Sequence, residues 1–155
     1  MIEPLIGADA WVARWVCGQI PPYDPDRGFG NCRAIGWVEG DALVAGTVFH
    51  NHEPSAGVIE LTSAAVTPRW LTRPVINTMF GYVFDRCGCQ MALMRVSDRN
   101  ARMCSIARRF GFADALIRRM NGFDEDGHVF TLTREEWLAH PMRMADGKTR
   151  HTETA

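Results

Sequence analysis

Glu60 interrupts a stretch of strand-forming residues, Ile59 to Val66, and a carboxylate in such a place is a candidate general base. Strand alternation puts it on the face of Thr62, Ala64 and Val66, opposite Leu61, Ser63 and Ala65. A glutamate facing solvent from a half-exposed strand would read the same way. Arg69 and Arg73 flank a turn that leads into a helix, where guanidinium forks and a helix N-terminus suit a phosphate group. Two solvated loop arginines would share that spacing. His50-Asn51-His52 puts two imidazoles on one face if the strand continues through it, which would suit a metal pair or a base relay. With Glu53 as the only nearby carboxylate, a surface turn is the better account.

Elements of definite kind must position these groups. Trp11, Val12, Trp15 and Val16 recur at helical spacing between Ala8 and Gln19, with Asp9 near the start as a cap or dipole partner. The proline- and glycine-rich run from Gln19 to Asn31 is loop. Arg33–Val38 and Ala42–His50 read as strands joined by a turn at Glu39-Gly40-Asp41, and Gly57–Val66 as a third strand stopped by Pro68. Val75, Ile76, Met79, Phe80, Val83, Phe84 and Cys87 mark one face of the next helix, with Thr72 as its cap and Gly88 as its stop. Gln90–Val96 is a strand, and Arg99–Phe110 is a helix that Asp98 can cap. Phe112–Met120 and His128–Leu132 form a closing hairpin. Thr133 and Glu136 form a capping-box pattern before a short last helix with Trp137 and Leu138. The polar stretch 141–155 reads as a tail after a domain spanning 1–140.

The totals are those of one globular domain: 155 residues, 46% hydrophobic, with a net charge of −1 that argues against electrostatic wrapping of nucleic acid. Lys148 is the only lysine, a bias that genome composition explains as readily as phosphate recognition. No segment has the length of a membrane span, and no basic region precedes an apolar run near Met1, so a cytoplasmic protein is expected. Five cysteines without framework or zinc-ligand spacing read as reduced thiols, and no metal site is expected.

The order from Gly57 to Phe112, with Val66 and Pro68 closing a strand, Asn100 opening a helix and Gly111-Phe112 ending it, resembles the acyl-CoA half of the GNAT superfamily of N-acetyltransferases. The likeness covers about residues 33 to 138. It implies a single α/β domain, a mostly antiparallel mixed sheet flanked by helices, with a βαβαβ segment that binds acetyl-CoA as co-substrate. It also implies that the strand before the turn splays from its neighbour and offers backbone groups around Ala65 to Thr67 to the pantetheine arm. Cofactor contacts would then come from Val66, from Arg69, from the turn Leu71-Thr72-Arg73-Pro74-Val75-Ile76, and from Asn100, eleven residues before Gly111 as in the family's N…GF motif. Glu60, six residues before Val66, matches the catalytic glutamate of the histone-acetylating branch.

The chain departs from the family at two places. The turn lacks both glycines of the family's Gln/Arg-x-x-Gly-x-Gly/Ala signature, and Pro74 removes one N–H donor; Arg69 and Arg73 would have to make up the charge. Where the family often has a tyrosine as general acid there is Ala107, with Cys104 and Ser105 one turn earlier.

By the same resemblance the acceptor would meet the first helix and the loop after it, including Trp15 and the Tyr23 to Phe29 loop. Asp24, Asp26 and Glu39 could attract a cationic amine. The acceptor is thus an amine on a protein N-terminus, a lysine or a small molecule. The end of the chain resembles ribosomal-protein and peptide N-terminal acetyltransferases, and the run Trp70 to Pro74 resembles small GNAT-like proteins of phages and prophages. Two other readings compete. One is a binding module that keeps the fold without catalysis. The other is a phage-type nucleobase-modifying enzyme using Arg99, Arg102, Arg108 and Arg109 as a phosphate strip, although such arginines are usually the solvated face of a helix. An exposed sheet edge would allow a homodimer.

Overall fold

The computed structural model describes residues 1–20, 24 and 28–144. Tyr23, Asp26 and Lys148, and the polar stretch after 144, lie outside them.

A seven-stranded sheet in the order β1-β2-β3-β4-β5-β7-β6 carries the structure. The strands are β1 (Ile2–Ile6), β2 (Cys32–Glu39), β3 (Ala42–Glu53), β4 (Val58–Ala65), β5 (Met91–Ser97), β6 (Ala113–Gly122) and β7 (Glu125–Thr133), and only the β4–β5 pair is parallel. The expected mixed α/β sheet is therefore present. β1 was not expected: Glu3 and Pro4 weaken its strand pattern, and an edge position tolerates both.

The two faces of the sheet are covered differently. Cross-strand partners share a face, so Ala34, Val48 and Ala64 line one side, where α1 (Asp9–Gln19) inserts Val12 and Val16. Glu60 and His50 stand on that same side, as alternation required. Ile35, Phe49, Ile59, Leu61 and Ala92 line the other, packed with α2 (Arg73–Phe80), α3 (Ala101–Phe110) and Trp137 of α4 (Arg134–Leu138). Asp9 does more than sit at a helix start. Its Oδ1 accepts from the N–H of Ala34 at 2.9 Å and its Oδ2 from Arg33 at 3.2 Å, tying α1 to β2.

Thr72 caps α2 as expected, its Oγ1 accepting from the Val75 N–H at 3.3 Å. After Phe80 the helix widens into a π-helical turn, Gly81–Arg86, seen in the Cys87 N–H to Tyr82 carbonyl bond of 2.9 Å. Val83 and Phe84 remain fully buried through this change, so apolar spacing alone did not reveal it. Thr133 and Glu136 close the expected capping box. In the β6–β7 hairpin, register slips between Ile117 and Gly122, with Arg119 at φ 61° and its N–H bonded to Asp126 Oδ1.

The residues after α4 do not leave the domain at once. Arg73 donates from Nε to the Met142 carbonyl (2.9 Å) and from Nη2 to that of Arg143 (3.3 Å), while Asn77 bonds both the carbonyl of Met142 and the N–H of Met144. Among the described residues no helix is long and apolar enough to cross a membrane.

Candidate active site

β4 and β5 pair over three rungs only, Val58 with Met91, Ile59 with Ala92 and Glu60 with Leu93. Beyond Glu60 the strands part, while β4 stays paired to β3 as far as Ala65. Leu61 to Ala65 thus have no β5 partner, a splay of the kind the resemblance implies, though it opens earlier than Ala65. Glu60 stands on the last shared rung.

Its carboxylate is 95% buried, yet it is not among apolar neighbours. Asn51 Nδ2 donates to Oε1 at 3.0 Å, Arg95 Nε lies 3.4 Å from the same oxygen, and His50 Nε2 is 3.8 Å from Oε2. A buried carboxylate needs such partners, because an uncompensated charge there would be costly. Arg95 lies on β5, two residues past the last shared rung, and its side chain is 56% exposed, so the guanidinium reaches Glu60 across the opening. Asn51 adopts φ 49°, a left-handed conformation that aims its amide at Glu60 and ends the alternation of β3.

That conformation also overturns the idea of paired imidazoles. His52 is exposed, whereas His50 is buried, hydrogen-bonded to Thr62 Oγ1 at 2.8 Å and covered by the ring of Phe29 at 4.8 Å. Burial holds the His50 pKa below its ordinary value of 6.5, against the upward pull of Glu60, and Arg95 lowers it further. His50 is therefore a neutral imidazole beside a carboxylate. Among the described residues no cluster of His, Cys, Asp and Glu could hold a metal ion.

The expected phosphate turn is compact. Pro68–Trp70 form a single 3₁₀ turn, Thr67 accepts the Arg69 N–H, and Val75 and Ile76 bury their side chains beneath it. The N–H groups of Thr72, Val75 and Ile76 are bonded to Trp70, to the Thr72 hydroxyl and to the Thr72 carbonyl, and Pro74 has none. Arg69 lies 3.8 Å from Glu39 and is largely exposed. Arg73 faces backbone carbonyls of the C-terminal segment, which satisfy its N–H groups without neutralising its charge. Val66 is exposed just past the splay. Asn100 caps α3, accepting from the Met103 N–H at 3.2 Å.

Among the described residues no tyrosine stands in for the general acid absent at Ala107. Ala107 and Cys104 are buried in the core, and burial pushes the Cys104 thiol pKa up. Tyr82 packs its ring on Phe49 at 4.5 Å, on the face away from Glu60, and its pKa is pushed up to about 12, first by burial and then by its hydrogen bond to Cys87.

A second polar cluster went unread in the sequence. His128 on β7 is buried between Asp98 Oδ1 at 2.7 Å and Asp114 Oδ1 at 2.6 Å, and Arg108 binds the other oxygen of Asp114 at 2.8 Å. Its members are far apart in the chain, and only the β6–β7 and β5–β7 registers bring them together. His50 and Asn51 had a usable signal: folding back about Glu53–Gly57 sets His50 opposite Glu60. Arg95 had none short of the parallel register. Of the four arginines that a rival reading made a phosphate strip, Arg99 pairs with Glu125 at 2.9 Å and Arg108 with Asp114, while Arg102 and Arg109 are exposed.

No protein-family model matches the sequence, and no curated protein matches it. Solved structures do match in fold. A chimera of the spermidine N-acetyltransferase SpeG from Vibrio cholerae aligns with TM-score 0.70 at 13% identity over 89% of this chain and 99% of its own. A probable acetyltransferase of the GNAT family from Chromobacterium violaceum ATCC 12472 aligns with TM-score 0.65 at 19% identity over 89% and 84%. Another, a probable acetyltransferase, aligns with TM-score 0.66 at 14% identity over 88% and 94%. The fold is that of the GNAT acetyltransferases. On that fold Glu60 occupies the vertex of the splay, and the rearranged turn from Pro68 to Ile76 leads into α2.

Proposed function

We propose that this chain transfers an acyl group, acetyl in the first instance, from acyl-CoA to an amine by direct attack within a ternary complex. The observation that carries the reading is the placement of a buried, hydrogen-bonded carboxylate, Glu60, where β4 and β5 part. A splay leaves one edge of β4 free for the amide groups of a pantetheine arm, and it puts the thioester beside whatever the vertex holds.

Glu60 takes a proton from the incoming ammonium, directly or through one water, and the freed nitrogen attacks the thioester carbonyl carbon. Collapse of the tetrahedral adduct breaks the C–S bond. The leaving thiolate takes the second amine proton, since Ala107 offers none. His50, kept neutral by burial, can accept or pass a proton beside Glu60. Val66 and the turn Leu71-Thr72-Arg73-Val75-Ile76 hold the cofactor, with Arg69 and Arg73 supplying the charge that the missing glycine N–H groups would have offered. Asn100 fixes the second contact from the start of α3. The residues fit such a group at the open edge of β4; at the phosphate end the fit rests on side-chain charge, because most turn N–H groups are already bonded.

Calorimetric titration with acetyl-CoA and desulfo-CoA tests this, alongside Arg73→Ala and Asn100→Ala. Micromolar binding that both substitutions weaken supports the reading, and Glu60→Gln should then bind acetyl-CoA normally while losing turnover in an acceptor screen. No binding of either ligand at millimolar concentration would leave a GNAT-shaped interaction module instead.

A further inference from the structure

The Glu60–Arg95 pair also bears on what the acceptor is. Arg95 meets Glu60 through Nε at 3.4 Å, and its two terminal nitrogens donate no hydrogen bond among the described residues. The side chain that carries them is 56% exposed and stands past the last rung shared by β4 and β5. A guanidinium with its end-on fork free is suited to a planar carboxylate, which it can bind through two parallel N–H···O bonds. Immediately beside it stands the carboxylate that would receive an amine. The site therefore presents an anionic and a cationic group 3.4 Å apart, with a neutral imidazole as the next neighbour.

We infer that the acceptor is an amine carrying a carboxylate next to the amino group, a free α-amino acid, with Arg95 holding the carboxylate while Glu60 receives the amino proton. The inference rests on the acyltransferase reading and narrows it. Charge balance favours this class. Glu60 and Arg95 cancel, and a zwitterion adds no net charge to the site. A polyamine would bring extra positive charge against the guanidinium, in a half-buried setting where like charges repel more strongly than in water. A peptide N-terminus would leave the fork without a partner. The transfer itself is balanced as before: the amino nitrogen forms the new C–N bond, the C–S bond breaks, and CoA leaves as the thiol carrying one of the amine protons.

The test compares amino acids with the amines made by removing their carboxylate, phenylalanine against phenethylamine for example, with spermidine as a third acceptor. Acetyl-CoA is held at saturation, and CoA release is followed. Wild type should prefer the amino-acid member by at least about tenfold in kcat/KM, what one good bond to a charged group yields. Arg95→Gln should erase that preference while leaving acetyl-CoA affinity unchanged by calorimetry. Arg95→Lys, which keeps Glu60 neutralised if Gln unfolds the protein, should retain part of it. Equal use of both members, preference for spermidine, a preference that survives Arg95→Gln, or turnover of no acceptor by a protein that binds acetyl-CoA would each overturn the inference. Loss of acetyl-CoA affinity in Arg95→Gln would do the same, by assigning the guanidinium to the cofactor. Failure of wild type to bind acetyl-CoA would instead overturn the acyltransferase reading beneath it.

Discussion

Asn51 holds its amide nitrogen 3.0 Å from Oε1 of Glu60, and it does so from a left-handed backbone conformation, φ 49°. Asparagine tolerates that conformation better than most residues, and strain kept beside a buried carboxylate suggests that the amide is worth more than the strain costs. Two substitutions separate the contributions. Asn51→Gly removes the hydrogen bond but relieves the backbone, whereas Asn51→Ala removes the bond and keeps the strain. Urea unfolding should show Asn51→Ala destabilised by about 1–3 kcal/mol, the cost of under-satisfying a buried charged acceptor, and Asn51→Gly by clearly less. Equal losses would mean that the left-handed conformation carries no strain.

The Asp98–His128–Asp114 cluster makes stability depend on pH in a defined direction. Hydrogen bonds from Asp98 and then Asp114 raise the His128 pKa above its ordinary 6.5. For Asp114 burial works upward, but the bonds to His128 and Arg108 prevail and lower its pKa below 3.8. A raised histidine contributes fully below 6.5 and loses its contribution as pH rises through the folded-state value. A lowered aspartate contributes fully above 3.8 and loses it as pH falls through its own folded-state value. His128→Gln should therefore lose most stability relative to wild type near pH 5.5, and the gap should narrow toward pH 9, as read by thermal melts across pH. A gap that widens with pH would mean that His128 is neutral in the folded protein.

Arg73 has two claims on it. In the structure it binds carbonyls of residues 141–143, and under the proposed function it serves a phosphate. Both cannot be fully met at once. Arg73→Ala removes all three of these bonds and should loosen the segment, speeding tryptic cleavage after Arg143 by at least about tenfold. If the guanidinium turns to the cofactor, saturating acetyl-CoA should speed the same cleavage in wild type and not in Arg73→Ala. Protection by acetyl-CoA would place the phosphate elsewhere.

These expectations also show which parts of the molecule the sequence exposes. α2 and α3 were readable because Thr72, Pro74 and Gly111 punctuate amphipathic runs where expected, although the cap of α3 is Asn100 and not Asp98, whose carboxylate binds His128 instead. The widening at Gly81 was not readable, since Val83 and Phe84 stay buried with or without it. At the site, Glu60 and the His50-Asn51-His52 run stood out separately. Of the Glu60 partners, Asn51 was within reach of the turn after Glu53, whereas Arg95 depends on the parallel register alone. His128 had no motif around it because both carboxylates that hold it are distant in sequence.

The side of the sheet that carries Glu60 leaves no spare room under α1. A Cβ placed on Gly46 would stand 2.7 Å from Val16 Cγ2 and 3.0 Å from Val12 Cγ1, both fully buried valines of that helix. Valine methyls have few alternative rotamers in a helix, so α1 would have to move as a body. Gly46→Ala should cost about 1–3 kcal/mol by overpacking, measured by urea unfolding. Val16→Ala in the same chain removes the nearer methyl and should restore part of that loss, although it costs stability by itself; the two effects should be non-additive. Strict additivity would show that α1 already yields at this contact. Asp9 ties the helix to Arg33 and Ala34, so the shift should also lower protection of the Ala34 amide in hydrogen exchange.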